Sequence, residues 1–155
     1  AGSGAIFDLR GNALRPSSWT SADAAGLPIL PGLVRYDEVA SGAIHHALRF
    51  TVPRTRAAYI APATHATGNR TDATLPPMGL RLRLRADFDL SRVTGAARVI
   101  LTALQRYGMF VADNGSAWFL TGAPDPHWSD DDLRQLRQAR GSDFEVVSTG
   151  EPQPL

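Results

Sequence analysis

The chain has no cysteine and no lysine, so all 16 of its basic residues are arginine. Without a thiol there is no disulfide, no thiolate metal ligand and no cysteine nucleophile. Without lysine there is no Schiff-base amine and no phosphate-loop ammonium. The arginine bias reads first as a GC-rich, bacterial coding sequence rather than as selection for guanidinium chemistry. Net charge is nearly absent too: 16 basic against 15 acidic side chains leave +1, which gives no general attraction to nucleic acid or to an anionic membrane. No apolar run approaches the ~20 residues of a membrane span, so no membrane insertion is expected. Dinucleotide and phosphate-loop fingerprints and the Gly-x-Ser-x-Gly elbow of serine hydrolases are missing as well, and the sequence names no cofactor.

What is present is an ordinary globular composition, 43% hydrophobic and 20% charged over 155 residues, sufficient for one domain with a single core. Residues 1–155 are read as a single domain, or as the C-terminal portion of a larger one. The start at Ala1-Gly2-Ser3-Gly4 carries neither methionine nor the regions of a signal peptide.

Residues 5–9 read as a short strand ended by Gly11-Asn12, and 16–31 as a loop with a helical turn at 21–25, capped by Ser21 and pinned by Trp19, Leu27, Ile29 and Leu30. A second turn of helix is expected at 36–40. The alternation over 44–52 predicts a strand with Ile44, His46, Leu48, Phe50 and Val52 on one face and His45, Arg49 and Thr51 on the other. A weaker strand at 57–61 leads into a long polar loop, 62–77, which is functional or mobile. The Leu-Arg alternation at 80–86 is a strand with one buried face. Helical spacing of Ala96, Val99, Ile100, Ala103, Leu104 and Tyr107, stopped by Gly108, predicts the longest helix. Asn114-Gly115 suits a type I′ turn, so 109–112 and 117–120 are expected to pair as a hairpin. Ser129 caps a helix reaching Ala139, 144–147 is a last strand, and 150–155 reads as a frayed tail. The pattern predicts an α+β fold, a mainly antiparallel, β-sandwich-like sheet with two peripheral helices and long loops.

Candidate chemistry centres on His46, which the strand register puts among apolar residues as a general acid or base, or as a core histidine satisfied by a carbonyl. His46, His65 and Asp113 form the one catalytic or metal-ligand set that the register assembles. Their spacing matches no metal motif, so no metal is assigned. Asp113 beside a turn has an alternative role in holding turn backbone. Arg81, Arg83 and Arg85 form a one-face row able to grip uronates, sulfates or phosphates bidentately, or simply to solvate a sheet face. Trp118 and Trp128 are candidate sugar-stacking residues, and Trp128 is the one expected to be exposed.

These residues fall within blocks that resemble a largely uncharacterised group of bacterial proteins. The blocks are Ser21-Ala22-Asp23-Ala24-Ala25-Gly26-Leu27-Pro28 with Pro31-Gly32-Leu33-Val34-Arg35, Gly42-Ala43-Ile44-His45-His46-Ala47-Leu48-Arg49-Phe50, and Ala103-Leu104-Gln105-Arg106-Tyr107-Gly108-Met109 with Asp113-Asn114-Gly115-Ser116. The resemblance implies a secreted or periplasmic protein and an N-terminal segment of the same protein ahead of these residues, and it implies no activity. Three functions are therefore weighed: a carbohydrate-active hydrolase or lyase with His46, His65 and Asp113 around a cleft roofed by 62–77; a carbohydrate-binding module built on Trp118, Trp128 and the arginine row; and a structural half-domain completed by a partner segment. A polysaccharide is the expected ligand of the first two.

Overall fold

The computed structural model describes residues 3–155. Strands β1 (Leu48–Val52), β3 (Arg81–Leu84), β4 (Met109–Asn114), β5 (Phe119–Leu120) and β6 (Phe144–Val147) form one curled sheet in the order β5-β1-β4-β3-β6. Strands β2 (Ala58–Tyr59) and β7 (Gln153–Pro154) form a second, two-stranded sheet. Helices α1 (Tyr36–Ala40), α2 (Gly95–Arg106) and α3 (Asp130–Leu133) complete the fold, which is α+β as the sequence predicts. All the pairings in both sheets are antiparallel except β1 with β4.

One sheet face is apolar because the period of two puts Leu48 and Phe50 of β1, Met109 and Val111 of β4, and Leu82 and Leu84 of β3 on the same side. The α2 residues Ala97, Ile100, Leu101, Ala103 and Leu104 are buried in the same core. That helix ends where Gly108 takes a φ of +73°, and a Cβ there would meet the Leu82 carbonyl oxygen at 2.3 Å. Both ends of α2 are held by charged side chains. Ala96 N–H donates to Asp132 Oδ2 at 2.7 Å, and the Tyr107 carbonyl accepts from Arg81 Nε at 2.9 Å and also from Nη2. An acid at the N-terminus and a guanidinium at the C-terminus complement the helix dipole. Asp132→Ala is expected to cost about 1 kcal/mol by urea melting, the usual value of a lost N-terminal cap; an unchanged midpoint would count against this capping role.

The expected hairpin does not form. β4 and β5 flank β1 on its two sides, and residues 115–118 cross the end of β1, with Gly115 N–H on Val52 O and Trp118 N–H on Thr51 O. The positive φ falls at Trp118 (60°) rather than at Asn114 or Gly115. The reason is the burial of Phe50: with β1 inserted, Phe50 is fully covered and Trp118 lies against it at 5.6 Å between ring centroids, which a two-stranded hairpin lying apart cannot supply.

Other expectations shift at element ends. Residues 5–9 are not a strand, and β1 begins at Leu48, so His46 lies outside it. The helix from 129 is α only through Leu133 and continues as a 3-10 turn, Arg134–Gln138. The tail is paired, since Gln153–Pro154 joins β2 and Leu155 N–H donates to Ala57 O. The 16–31 loop is indeed pinned, but by backbone: Ala25 N–H donates to Ala112 O and Thr64 N–H to Ala25 O, and just beyond it Val34 N–H donates to Thr121 O. Trp19 and Leu30 stay largely exposed.

Candidate functional site

The sheet face away from α2 carries Arg49 of β1, Phe110 of β4 and Arg81 of β3, adjacent by register. Over Arg49 and Phe110 lies a cavity of about 530 Å³, lined also by His46, Asp23 and much of the 7–15 stretch. Its walls are mainly apolar with a few convergent polar groups, the usual make-up of a small-molecule site. Of the 62–77 loop expected to roof it, only Pro62 takes part; the 7–15 stretch takes that position.

Asp23 is the most perturbed group there. Ser21, expected to cap a helical turn, instead accepts from Asp23 N–H through its hydroxyl oxygen at 3.1 Å, and the turn places the Asp23 side chain inward, 1% exposed. Oδ1 accepts from Leu27 N–H at 3.0 Å, and the Ser21 hydroxyl lies at 3.2 Å. Oδ2 has no hydrogen-bond partner among the described residues. Gly26, at φ +76°, closes this turn under Thr64 Oγ1 and Trp19 O, where a Cβ would stand 2.3 and 2.7 Å away. Burial pushes the carboxyl up to about 6; the Leu27 amide, Arg49 and Ser21 pull the other way, and the Asp113 charge adds to the rise.

Arg49 lies beside it, 8% exposed, its stem packed over Gly32, where a Cβ would come within 3.1 Å. Nη1 donates to Thr121 Oγ1 at 2.7 Å. Nη2 stands 3.6 Å from Asp23 Oδ2, too far for a hydrogen bond, and Nε has no partner among the described residues. The Nε–Nη2 edge, the one that grips carboxylates in a fork, thus makes no hydrogen bond to them.

His46 reaches the cavity with both ring nitrogens engaged, Nδ1 at 2.8 Å from Ala47 O and Nε2 at 3.0 Å from Glu38 Oε2, while Glu38 Oε1 pairs with Arg35 Nη2 at 2.6 Å. Neither nitrogen is left for a metal or a substrate proton. Asp113 pairs with Thr51 within the sheet, whereas His46 lies at a bend ahead of β1. His65 Nδ1 lies 2.8 Å from Ala24 O, next to Asp23 in sequence. The Asp113 charge acts on Asp23 and His65 is bonded beside it, while His46 is engaged with Glu38 and Ala47. Among the described residues no three His, Asp or Glu side chains converge as a metal site.

The arginine row is engaged within the chain. Arg81 caps α2 and lies over the Phe110 ring at 5.4 Å, Arg83 pairs with Glu145 at 2.5 Å, and Arg85 pairs with Asp87 at 2.9 Å. Trp118 is wedged between Phe50 and Phe144, 5.3 Å from the latter. Trp128, expected to be exposed, is half-buried: its Nε1 donates to Ala123 O at 2.9 Å and its ring meets Tyr36 edge-on. The two tryptophans make no flat aromatic platform.

Asp23 and Arg49 are not among the candidates that the sequence singles out. Signals for them exist: a Ser-x-Asp preceding a glycine turn, and an arginine in a strand between two large apolar residues. Nothing in one sequence says that the two meet. No protein-family model, curated protein or solved structure matches the chain. The fold and the cavity define an α+β protein with a buried acid-arginine pair at a small-molecule-sized site, and its chemistry follows from that geometry alone.

Proposed function

We propose that the protein is a carbohydrate-active protein of a bacterial exterior, a polysaccharide hydrolase or lyase, with Asp23 moving the proton at the cavity. One observation supports this reading above the others: a nearly fully buried carboxyl, pushed up to about 6, with one oxygen that faces Arg49 at 3.6 Å but has no hydrogen-bond partner among the described residues, beside a cavity of about 530 Å³. A carboxyl that titrates near 6 holds its proton long enough to protonate a leaving oxygen and gives it up readily enough to act as a base. Two carboxyls whose surroundings differ, one held up by burial and one ionised, recur in glycoside hydrolysis, and Asp113 is near enough for its charge to raise Asp23. In a lyase the same Asp23 removes the proton beside a sugar carboxylate. The exterior location rests on the resemblance to secreted bacterial proteins.

The test is reducing-end release and unsaturated-product absorbance from a polysaccharide panel with wild type, Asp23→Asn and His46→Ala. Loss of a general acid-base group costs roughly 10²–10⁴-fold, so Asp23→Asn is expected to lose at least a hundredfold while His46→Ala, whose nitrogens are already engaged, keeps most of the activity. Equal rates for wild type and Asp23→Asn would end the reading.

A further inference from the structure

We propose that the space beneath residues 7–15 is a binding site for an uncharged alkyl chain, and that residues 4–14 are a strap that lifts to admit the chain and closes over it. The site goes beyond the carbohydrate reading and does not depend on it.

The strap lies on the protein without being built into it. Among the described residues, 4–14 exchange no backbone hydrogen bond with the rest of the chain; one bond within them runs from Gly11 N–H to Asp8 O. The ties are at the ends. The Ser3 hydroxyl donates to Ser21 O at 2.6 Å, and Arg15 Nε donates to Thr20 O at 3.1 Å with its guanidinium 5.1 Å from the Trp19 ring centre. Of the residues between, only Ala5 and Phe7 are partly buried. A segment with so few bonds and so little buried surface sits at the low end of local stability and opens without the sheet.

What the strap covers is mostly carbon. The cavity of about 530 Å³ is faced by Phe7, Leu14, Leu27, Pro31, Leu48 and Phe110. A second space of about 220 Å³ is faced by Ala5, Phe7, Leu9, Leu27, Ile29 and Leu30. The first takes its strap residues from between Phe7 and Arg15 and the second from Ala5 to Leu9, so the two follow one another along the strap. That elongated outline suits a chain better than a compact ring. The charges around it are already matched: Asp8 pairs with Arg10, Asp23 faces Arg49 at 3.6 Å, and His46 is bonded to Glu38. An ionised ligand would give up its hydration with no free counter-charge to meet it, whereas an alkyl chain gains by leaving water. The rim has the same character. Ile6, Leu9 and Leu14 of the strap and Leu30 of the loop facing it are more than half exposed, so an entering chain meets apolar surface first.

The experiment is fluorescence titration of the intact protein with N-phenyl-1-naphthylamine, an uncharged probe that brightens in apolar surroundings. Displacement follows with 1-octanol, octyl glucoside below its micelle concentration, octanoate and glucose. Expected are saturable probe binding, displacement by octanol and octyl glucoside, weaker displacement by octanoate and none by glucose. Phe7→Ser on the strap and Phe110→Ser on the sheet are each expected to weaken probe binding about tenfold, the order for removing part of a phenyl ring's buried surface. Phe119→Ser, exposed on β5 and outside the cavity, is expected to leave it unchanged. Should Phe110→Ser fail to fold by circular dichroism, Phe7→Ser, which lies outside the core, decides. The strap is read by trypsin cleavage after Arg10, whose side chain is 91% exposed. Octanol at about ten times its Kd is expected to slow that cut about tenfold and cuts elsewhere little. Absence of saturable probe binding, or weakening by Phe119→Ser as large as by Phe7→Ser, would overturn the cavity as the site. Octanoate binding more tightly than octanol would overturn an uncharged ligand, and an unchanged cut after Arg10 would overturn the strap. Displacement by glucose and not by octanol would overturn the alkyl site and leave the carbohydrate reading standing.

Discussion

Asp23→Asn is expected to flatten the pH dependence of folding. In wild type the folded protein holds the Asp23 proton up to about pH 6, whereas the unfolded chain releases it near the ordinary 3.8. The folded state therefore binds the extra proton between these values, and stability falls as pH rises from about 4 to about 6 and is level above that. A raised carboxyl contributes its full share below the unfolded value and loses it on passing the folded one. The rise from 3.8 to about 6, at about 1.4 kcal/mol for each tenfold change in proton affinity, sets the change at about 3 kcal/mol. Urea melts of both proteins at pH 4, 5, 6 and 7.5 measure it, and the informative quantity is the difference between them. That difference is expected to move by about 3 kcal/mol across the window in favour of the variant, whatever its sign at pH 4. Carboxylates away from the Asp23 site, such as Asp87 and Asp125, whose values are lowered by Arg85 and by the His127 backbone, titrate alike in both proteins and cancel. Parallel curves would mean that Asp23 is not held protonated by its burial.

Phe50→Ala is expected to be the most damaging core substitution, with a loss of about 3–5 kcal/mol. Phe50 is completely buried at the centre of β1, between β4 and β5, and packs beneath Trp118. Its removal opens a cavity that the neighbours cannot close, because both flanking strands are fixed by their own hydrogen bonds. Trp118 reports the loss directly: its emission is expected to shift to longer wavelength and the urea midpoint to drop. A midpoint within the error of wild type would show that β5 and Trp118 collapse onto the space. Val146→Ala, at an edge position 64% exposed, is the matched control and is expected to change stability by under about 0.5 kcal/mol.

Helix α2 and the strands carrying Leu-Arg-Leu-Arg and Phe-Glu-Val-Val are legible in the sequence because each is specified locally, by a 3.6 or 2.0 period with a glycine or polar stop. The sheet order is not. Whether β5 returns to β4 or crosses to β1 depends on what must cover Phe50, seventy residues before its partner Leu120, and Asn114-Gly115 is compatible with both. The site is hidden for the same reason. His46 draws attention through a register that starts at 44, but β1 starts at Leu48, and the imidazole is spent on Glu38 and Ala47. Asp23 looks like one more loop aspartate among twelve. Its burial comes from the approach of Arg49 and from the docking of its turn onto Ala112 and Thr64, and no local pattern announces that approach.

The placement of β1 between β4 and β5 also has a bearing on how the chain acquires its structure. β1 is made early, yet both its neighbours come from beyond residue 108, so for about sixty residues of synthesis the Leu48–Val52 segment has neither partner. Closing so long a loop before its contacts reward it makes assembly of the centre slow. During that interval a strand with Leu48 and Phe50 on one side is open to pairing with other chains. A truncation that stops before Met109 should therefore yield an aggregating polypeptide rather than a smaller folded unit.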